Sequence, residues 1–167
     1  MNNVIEINSP HIHQQTSIAS VMRKVIYALV PGILVSIWIL GWGVLIQCLL
    51  AVLFALVFEA AMLSMRKRPI KRYLYDGSAI VTALLFALTI TPFAPWWISL
   101  FGVAFAIIVV KHMYGGLGYN MFNPAMAGYV FMLLCFPAEM NVWPMAKGVA
   151  EVDINFTDTL SVIFTGT

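Results

Sequence analysis

The chain has 167 residues, 62% of them hydrophobic and 10% charged, with a net charge of +2 and a mean hydropathy of +0.92. A soluble domain is about a quarter charged, so this chain cannot cover a water-facing globule, and its natural solvent is the lipid bilayer. The charge balance is too small to point to nucleic acid.

Residues 1–20 form a polar tail without the basic and short apolar regions of a cleavable signal peptide, so the first apolar run is expected to act as the targeting signal. A bilayer-spanning helix needs about 20 mostly apolar residues. Five candidate spans follow, from Val25 to Leu40, Val44 to Met65, Ser78 to Thr91, Trp96 to Val110 and Ala125 to Phe136. The third and fourth would make one overlong helix, but Pro92 and Pro95 break it, since proline lacks an N–H and clashes with the preceding turn. A tight hairpin over Thr91–Pro95 is therefore predicted. The expected organisation is a tail over 1–20, a membrane domain over 21–137 and an outer-side segment over 138–167.

Arg23 and Lys24 precede the first span, Arg66, Lys67, Arg68, Lys71 and Arg72 follow the second, and Lys111 follows the fourth. With five crossings all of these fall on one side, the cytoplasmic one by the positive-inside rule. Trp38, Trp42, Trp96, Trp97 and Trp143 fall at the opposite interface, as in an aromatic belt. The topology that results has the N-terminus in the cytoplasm and Glu139, Glu151, Asp153 and Asp158 outside with Lys147.

Cys48 and Cys135 lie in apolar runs without a CxxC partner, which reads as buried free thiols. Glu59 lies inside the second span. An ionisable group there is costly and faces a partner or a cavity, so Glu59 either serves an ion path or pairs with Arg66, Lys67 or lipid headgroups. Asp76 and Ser78 read as the N-terminal cap of the third span. Thr82, Thr89 and Thr91 either line a polar path or satisfy helix carbonyls. His11 and His13 sit in the solvated tail with too few companions for a metal site. Asn155-Phe156-Thr157 matches a glycosylation sequon. No arrangement of a hydrolase, a metalloprotease or a phosphate-binding loop is visible, and no catalytic or metal-ligating residue is assigned.

The most unusual stretch is Tyr114-Gly-Gly-Leu-Gly-Tyr-Asn-Met-Phe-Asn-Pro-Ala-Met126. Its glycines permit sharp turns and close approach, and Asn123-Pro124 reads as a helix start with Asn at the cap and Pro at the first position. A helix N-terminus offers free N–H groups to an electron-rich ligand, with Asn120 and Asn123 able to add amide hydrogen bonds. A capped cytoplasmic turn with no ligand explains the same residues.

As a set, this string with Phe136-Pro-Ala-Glu-Met140, Ser9-Pro-His, Val30-Pro-Gly, Gly41-Trp-Gly43 and Pro92-Phe-Ala-Pro-Trp-Trp97 resembles the D subunits of Rnf-type electron-transport complexes. A looser likeness extends to the B subunits of sodium-pumping NADH:quinone oxidoreductases. The resemblance implies an all-α polytopic membrane protein of about five transmembrane helices, forming one repeat of an inverted-repeat bundle in the bacterial inner membrane. It implies partner subunits of the same complex, and electron transfer between ferredoxin and NAD coupled to ion translocation. It also implies FMN attached to a threonine outside this chain, since Thr165 and Thr167 do not match the attachment motif, and contact of riboflavin with Asn120 and Asn123. Family members are about twice as long, so the 138–167 segment is expected to be truncated and the isolated chain inactive. A small-solute channel or transporter half and a non-redox assembly protein are the other functional readings.

Overall fold

The computed structural model describes residues 17–116, 118–146 and 155–166. The sequence features at Ser9 to His13, Leu117, Lys147, Glu151, Asp153 and Thr167 lie outside the described residues. Among those described, every regular element is helical.

Helix α1 spans Ile18–Leu40 and α2 spans Gly43–Met65, each of 23 residues. At 1.5 Å per residue each is about 35 Å long, enough for a hydrocarbon core of about 30 Å. Helix α1 begins seven residues before the predicted span, at Ile18 and not Val25, because Ser17 caps it by accepting a hydrogen bond from the Ser20 N–H at 3.3 Å. Arg23 and Lys24 thus lie inside the helix, where long basic side chains can snorkel to the headgroups. None of the residues of α1 is buried by the rest of the chain, so it is the less covered of the two long helices.

After the short helix α3, Ile70–Leu74, come three shorter apolar elements. Helix α4 runs over Ser78–Thr89, α5 over Trp96–Ala104 and α6 over Pro124–Cys135. Helix α5 continues without a break into a π-helical segment, Phe105–His112. Helices α7, Pro137–Met140, and α8, Phe156–Thr165, complete the described chain. The core is built where α2, α4, α5 and α6 pack together, around Phe86, Ile98, Val103, Ile107 and Met132, each fully buried.

Small residues let these helices meet. A Cβ on Gly102 would stand 2.2 Å from the Phe86 ring, and one on Gly128 would stand 2.8 Å from the Gly102 carbonyl. Close backbone approach at glycine is a usual means of joining helices in a bilayer, where lipid is as apolar as the side chains.

The predicted hairpin is present between α4 and α5, and it is buried, with Ile90, Thr91 and Ala94 at 2%, 1% and 0% exposure. Buried non-helical backbone needs hydrogen-bond partners, and side chains supply them here. The Gln47 amide of α2 donates to the Ala94 carbonyl at 2.5 Å and accepts from the Ser99 hydroxyl at 2.6 Å. The Thr91 hydroxyl donates to the Val142 carbonyl. Thr82 and Thr89 satisfy carbonyls of their own helix, those of Ser78 at 3.0 Å and Phe86 at 2.7 Å.

The helices place the tryptophans and the basic residues at opposite ends. The α1–α2 turn, the hairpin and α8 share one end, where Trp42 meets Phe156 edge-on at 5.8 Å. The turns after α2, after α3 and after the π segment share the other. Cys48 is buried as expected, whereas Cys135 is exposed, because it faces outward at the last position of α6.

Candidate functional site

At the basic end, three segments converge on Glu59. It lies in α2 and is 2% exposed. Lys111, 2% exposed, donates from Nζ to Glu59 Oε1 at 2.8 Å and to the Ser78 hydroxyl oxygen at 2.8 Å. The Ser78 hydroxyl in turn donates to Asp76 Oδ1 at 2.6 Å, and the Ser78 N–H donates to the same oxygen at 2.7 Å. His112, 3% exposed, places Nε2 at 3.1 Å from Glu59 Oε2, although the angle makes this an ion-pair distance and not a hydrogen bond. Asp76, Ser78, Lys111 and Glu59 therefore form a hydrogen-bonded polar chain at the basic end of the bundle, with His112 beside it.

The expected pairing of Glu59 with Arg66 or Lys67 is replaced by pairing with Lys111 and His112. Arg66 and Lys67 lie beyond the C-terminus of α2, exposed, while Glu59 faces inward toward the π segment. Lys111 is correspondingly no free flanking charge. Burial of both ions within 2.8 Å gives each a partner that a lone intramembrane charge would lack.

Lys111 and His112 both reach Glu59 from the last two residues of the π segment. Its wider winding is recorded in a hydrogen bond that spans five residues, from the Met113 N–H to the Ile108 carbonyl at 3.2 Å. Such π segments are rare and recur at functional sites. The run of Ile107 to Val110 carries no sequence pattern that distinguishes π from α winding.

A cavity of about 170 Å³ opens beside this network. Glu59, Lys111, His112 and Asp76 line it together with Arg68, Tyr73 and Tyr119. Gly115 and Gly116, at φ +108° and +107°, form its rim in a conformation that side chains rarely adopt. The glycine string thus turns back toward the polar cluster.

Asn120 and Asn123 stand apart from Glu59. The Asn120 amide serves its own loop, accepting from the Gly118 N–H at 3.3 Å and donating to the Phe122 carbonyl at 2.8 Å. Asn123 caps α6, accepting from the Ala125 N–H at 3.0 Å with Pro124 at the first helical position. Asn123 also borders an apolar groove of about 590 Å³ that runs along the π segment and α6, lined by Phe105, Val109, Tyr114, Phe122 and Met126. The predicted cap is correct at Asn123. In α4 the cap position is Gly77 instead, and Asp76, one residue earlier, accepts from the N–H of the first helical residue, Ser78.

Buried ionisable side chains among apolar helices mark membrane proteins with a functional site inside the bundle. Comparison with known proteins narrows the class. The chain belongs to the NQR2, RnfD, RnfE family, whose model matches residues 5–164. It is 50% identical over 159 residues to the D subunit of the ion-translocating oxidoreductase complex of Colwellia psychrerythraea, covering 95% of this chain and 45% of that protein. It is 48% and 49% identical, over the same shares, to the D subunits of the same-named complexes of Aliivibrio salmonicida and Aeromonas hydrophila. The chain thus spans about half the length of the curated relatives it matches.

Proposed function

We propose that this chain is the N-terminal part of a membrane subunit in a complex that couples electron transfer between ferredoxin and NAD to ion translocation, and that Glu59 lies on the ion path. The observation that carries this reading is the buried cluster of Ser78, Lys111, Glu59 and His112, extended by half-buried Asp76. Buried ionisable groups inside a bundle mark ion and proton routes, and the name of the relatives supplies the coupling to oxidoreduction.

In this reading the basic end faces the cytoplasm of a bacterium, the chain crosses the inner membrane as one repeat of an inverted-repeat bundle, and other subunits of the complex cover its lipid-exposed faces. The buried hairpin supports a repeat built from interrupted helices, the kind of element that shapes sites at mid-membrane in transporters. FMN belongs on a threonine outside these 167 residues, where it supplies one- and two-electron chemistry. For riboflavin, the residues fit in part. The groove beside Asn123 has the size and apolar lining of a cofactor site, so Asn123 and Phe122 would hold the ring system at its rim. The Asn120 amide is engaged on both sides by its own loop and would shape that rim instead.

The test uses inverted membrane vesicles that contain the whole complex. Removing this subunit is expected to abolish ion accumulation driven by ferredoxin-dependent NAD reduction, with restoration by the full-length gene. Undiminished accumulation without the subunit would end the proposal.

A further inference from the structure

We propose that His112 is a proton-binding site, which takes a proton from the cavity at the basic end and holds it against Glu59 Oε2. The assignment of a transport role to that proton rests on the ion-path reading above.

The geometry at His112 is unusual. The ring is 3% exposed, and neither nitrogen has a hydrogen-bond partner among the described residues. Glu59 Oε2 is likewise without one, at 3.1 Å from Nε2. Buried polar atoms are nearly always paired, so a buried imidazole with neither nitrogen hydrogen-bonded, beside a carboxylate oxygen in the same state, marks a place where something is bound. A proton fits that place: an imidazolium carries an N–H on both nitrogens, and a small turn of the ring aims the Nε2 N–H at Oε2, 3.1 Å away.

A larger cation is disfavoured by what already sits there. The Lys111 ammonium occupies the position between Glu59 Oε1 and the Ser78 hydroxyl, at 2.8 Å from each. Hard cations require a shell of several oxygens, and here the oxygens are committed to a tethered ammonium.

The charges agree with this assignment. The groups facing His112 are Glu59 of α2, Asp76 before α4, and its neighbour Lys111, with Arg68, Tyr73 of α3 and Tyr119 of the glycine loop around the cavity. Helices α5 and α6 contribute no Asp, Glu, Lys, Arg or His. With a neutral imidazole, Glu59 and Lys111 balance each other and half-buried Asp76 adds one negative charge, against which a proton on His112 and exposed Arg68 are the available countercharges. Exposed Arg68 stands at the cavity mouth over the Tyr73 ring, 5.8 Å from its centroid. The cavity, about 170 Å³, has room for roughly five waters at ~30 Å³ each, enough to carry the proton inward. The proton comes from that water, adds to an imidazole nitrogen lone pair, and leaves by the same bond.

The test is ¹⁵N solid-state NMR of the histidine rings in the complete complex in lipid, with the His112 signal identified by its loss in H112Q. The expected result is a charged ring form that grows as the pH of the parent is lowered and that is absent from E59Q under the same conditions. A parent ring that is neutral at every pH, or an E59Q ring that titrates like the parent, overturns the proposal. Ions moved per electron are measured in the same E59Q complex. If the ring loses its charged form while ion movement is unchanged, the proton site stands and the ion-path reading falls. If the parent ring never charges while E59Q uncouples the complex, the ion path stands and the proton site falls.

Discussion

Breaking the Glu59–Lys111 pair from one side should cost far more than removing it whole. The ions lie 2.8 Å apart, with side chains 2% and 3% exposed. At an effective dielectric of about 20 their attraction is roughly 6 kcal/mol, set against a desolvation cost of several kcal/mol per ion. The net value of the pair is therefore small, but an orphaned partner keeps its desolvation cost without the compensation. Lys111→Met and Glu59→Met are each expected to destabilise by about 3–5 kcal/mol. The double variant, which fills the same volume with apolar atoms, is expected within about 2 kcal/mol of the parent, for a coupling of about 3 kcal/mol or more. Lys111→Met should be the milder single change, since His112 still faces Glu59. Reversible unfolding of the full-length subunit in bicelles measures all four corners of the cycle. Single effects that add to within about 0.5 kcal/mol would refute the argument, because non-interacting sites behave that way.

Gln47→Leu strands the Ser99 hydroxyl and the Ala94 carbonyl inside the bundle, so a loss of about 1–3 kcal/mol is expected by the same unfolding assay, with proteolysis appearing first at the hairpin. Gly102→Ala drives a methyl into the Phe86 ring at the α5–α6 crossing, and overpacking of this kind costs about 1–3 kcal/mol, read as a lower melting temperature. Asn123→Ala removes the cap of α6 and should cost about 1 kcal/mol whether or not a flavin is present, whereas Asn123→Asp, which keeps the cap, should recover it.

Much of the fold is legible in the amino-acid order. The apolar runs mark α2, α4, α5 and α6 to within a few residues, Pro92 and Pro95 mark the hairpin, and Asn123-Pro124 marks the start of α6, because each rests on local chemistry. The depth of the hairpin is not legible, since it depends on the Gln47 side chain, 47 residues from Ala94 and 52 from Ser99 in the chain. The start of α1 is missed because Arg23 and Lys24 resemble a boundary, although Ser17 sets the cap. In the candidate site Glu59, Asp76 and Ser78 stand out as polar residues in or beside apolar runs. Lys111 and His112 do not, because a basic residue at the end of a span already has a topological explanation. Their approach to Glu59 depends on how α2 packs against the π segment, with Glu59 and Lys111 52 residues apart in the chain, and local sequence does not announce that. A lone intramembrane carboxylate implies a cation nearby, and that signal would have justified searching the ends of every span for its partner.

The most direct test of the account is the number of ions moved per electron transferred by the complete complex in proteoliposomes, compared between parent and Glu59→Gln at matched electron flux. Glutamine keeps the size of the side chain and can still accept from Lys111, but it removes the charge. The account predicts that electron transfer persists while ions moved per electron fall by about tenfold or more, the effect of about 1.4 kcal/mol or more on the translocation step. An unchanged ratio at full flux would contradict it and return Glu59 to a purely structural role.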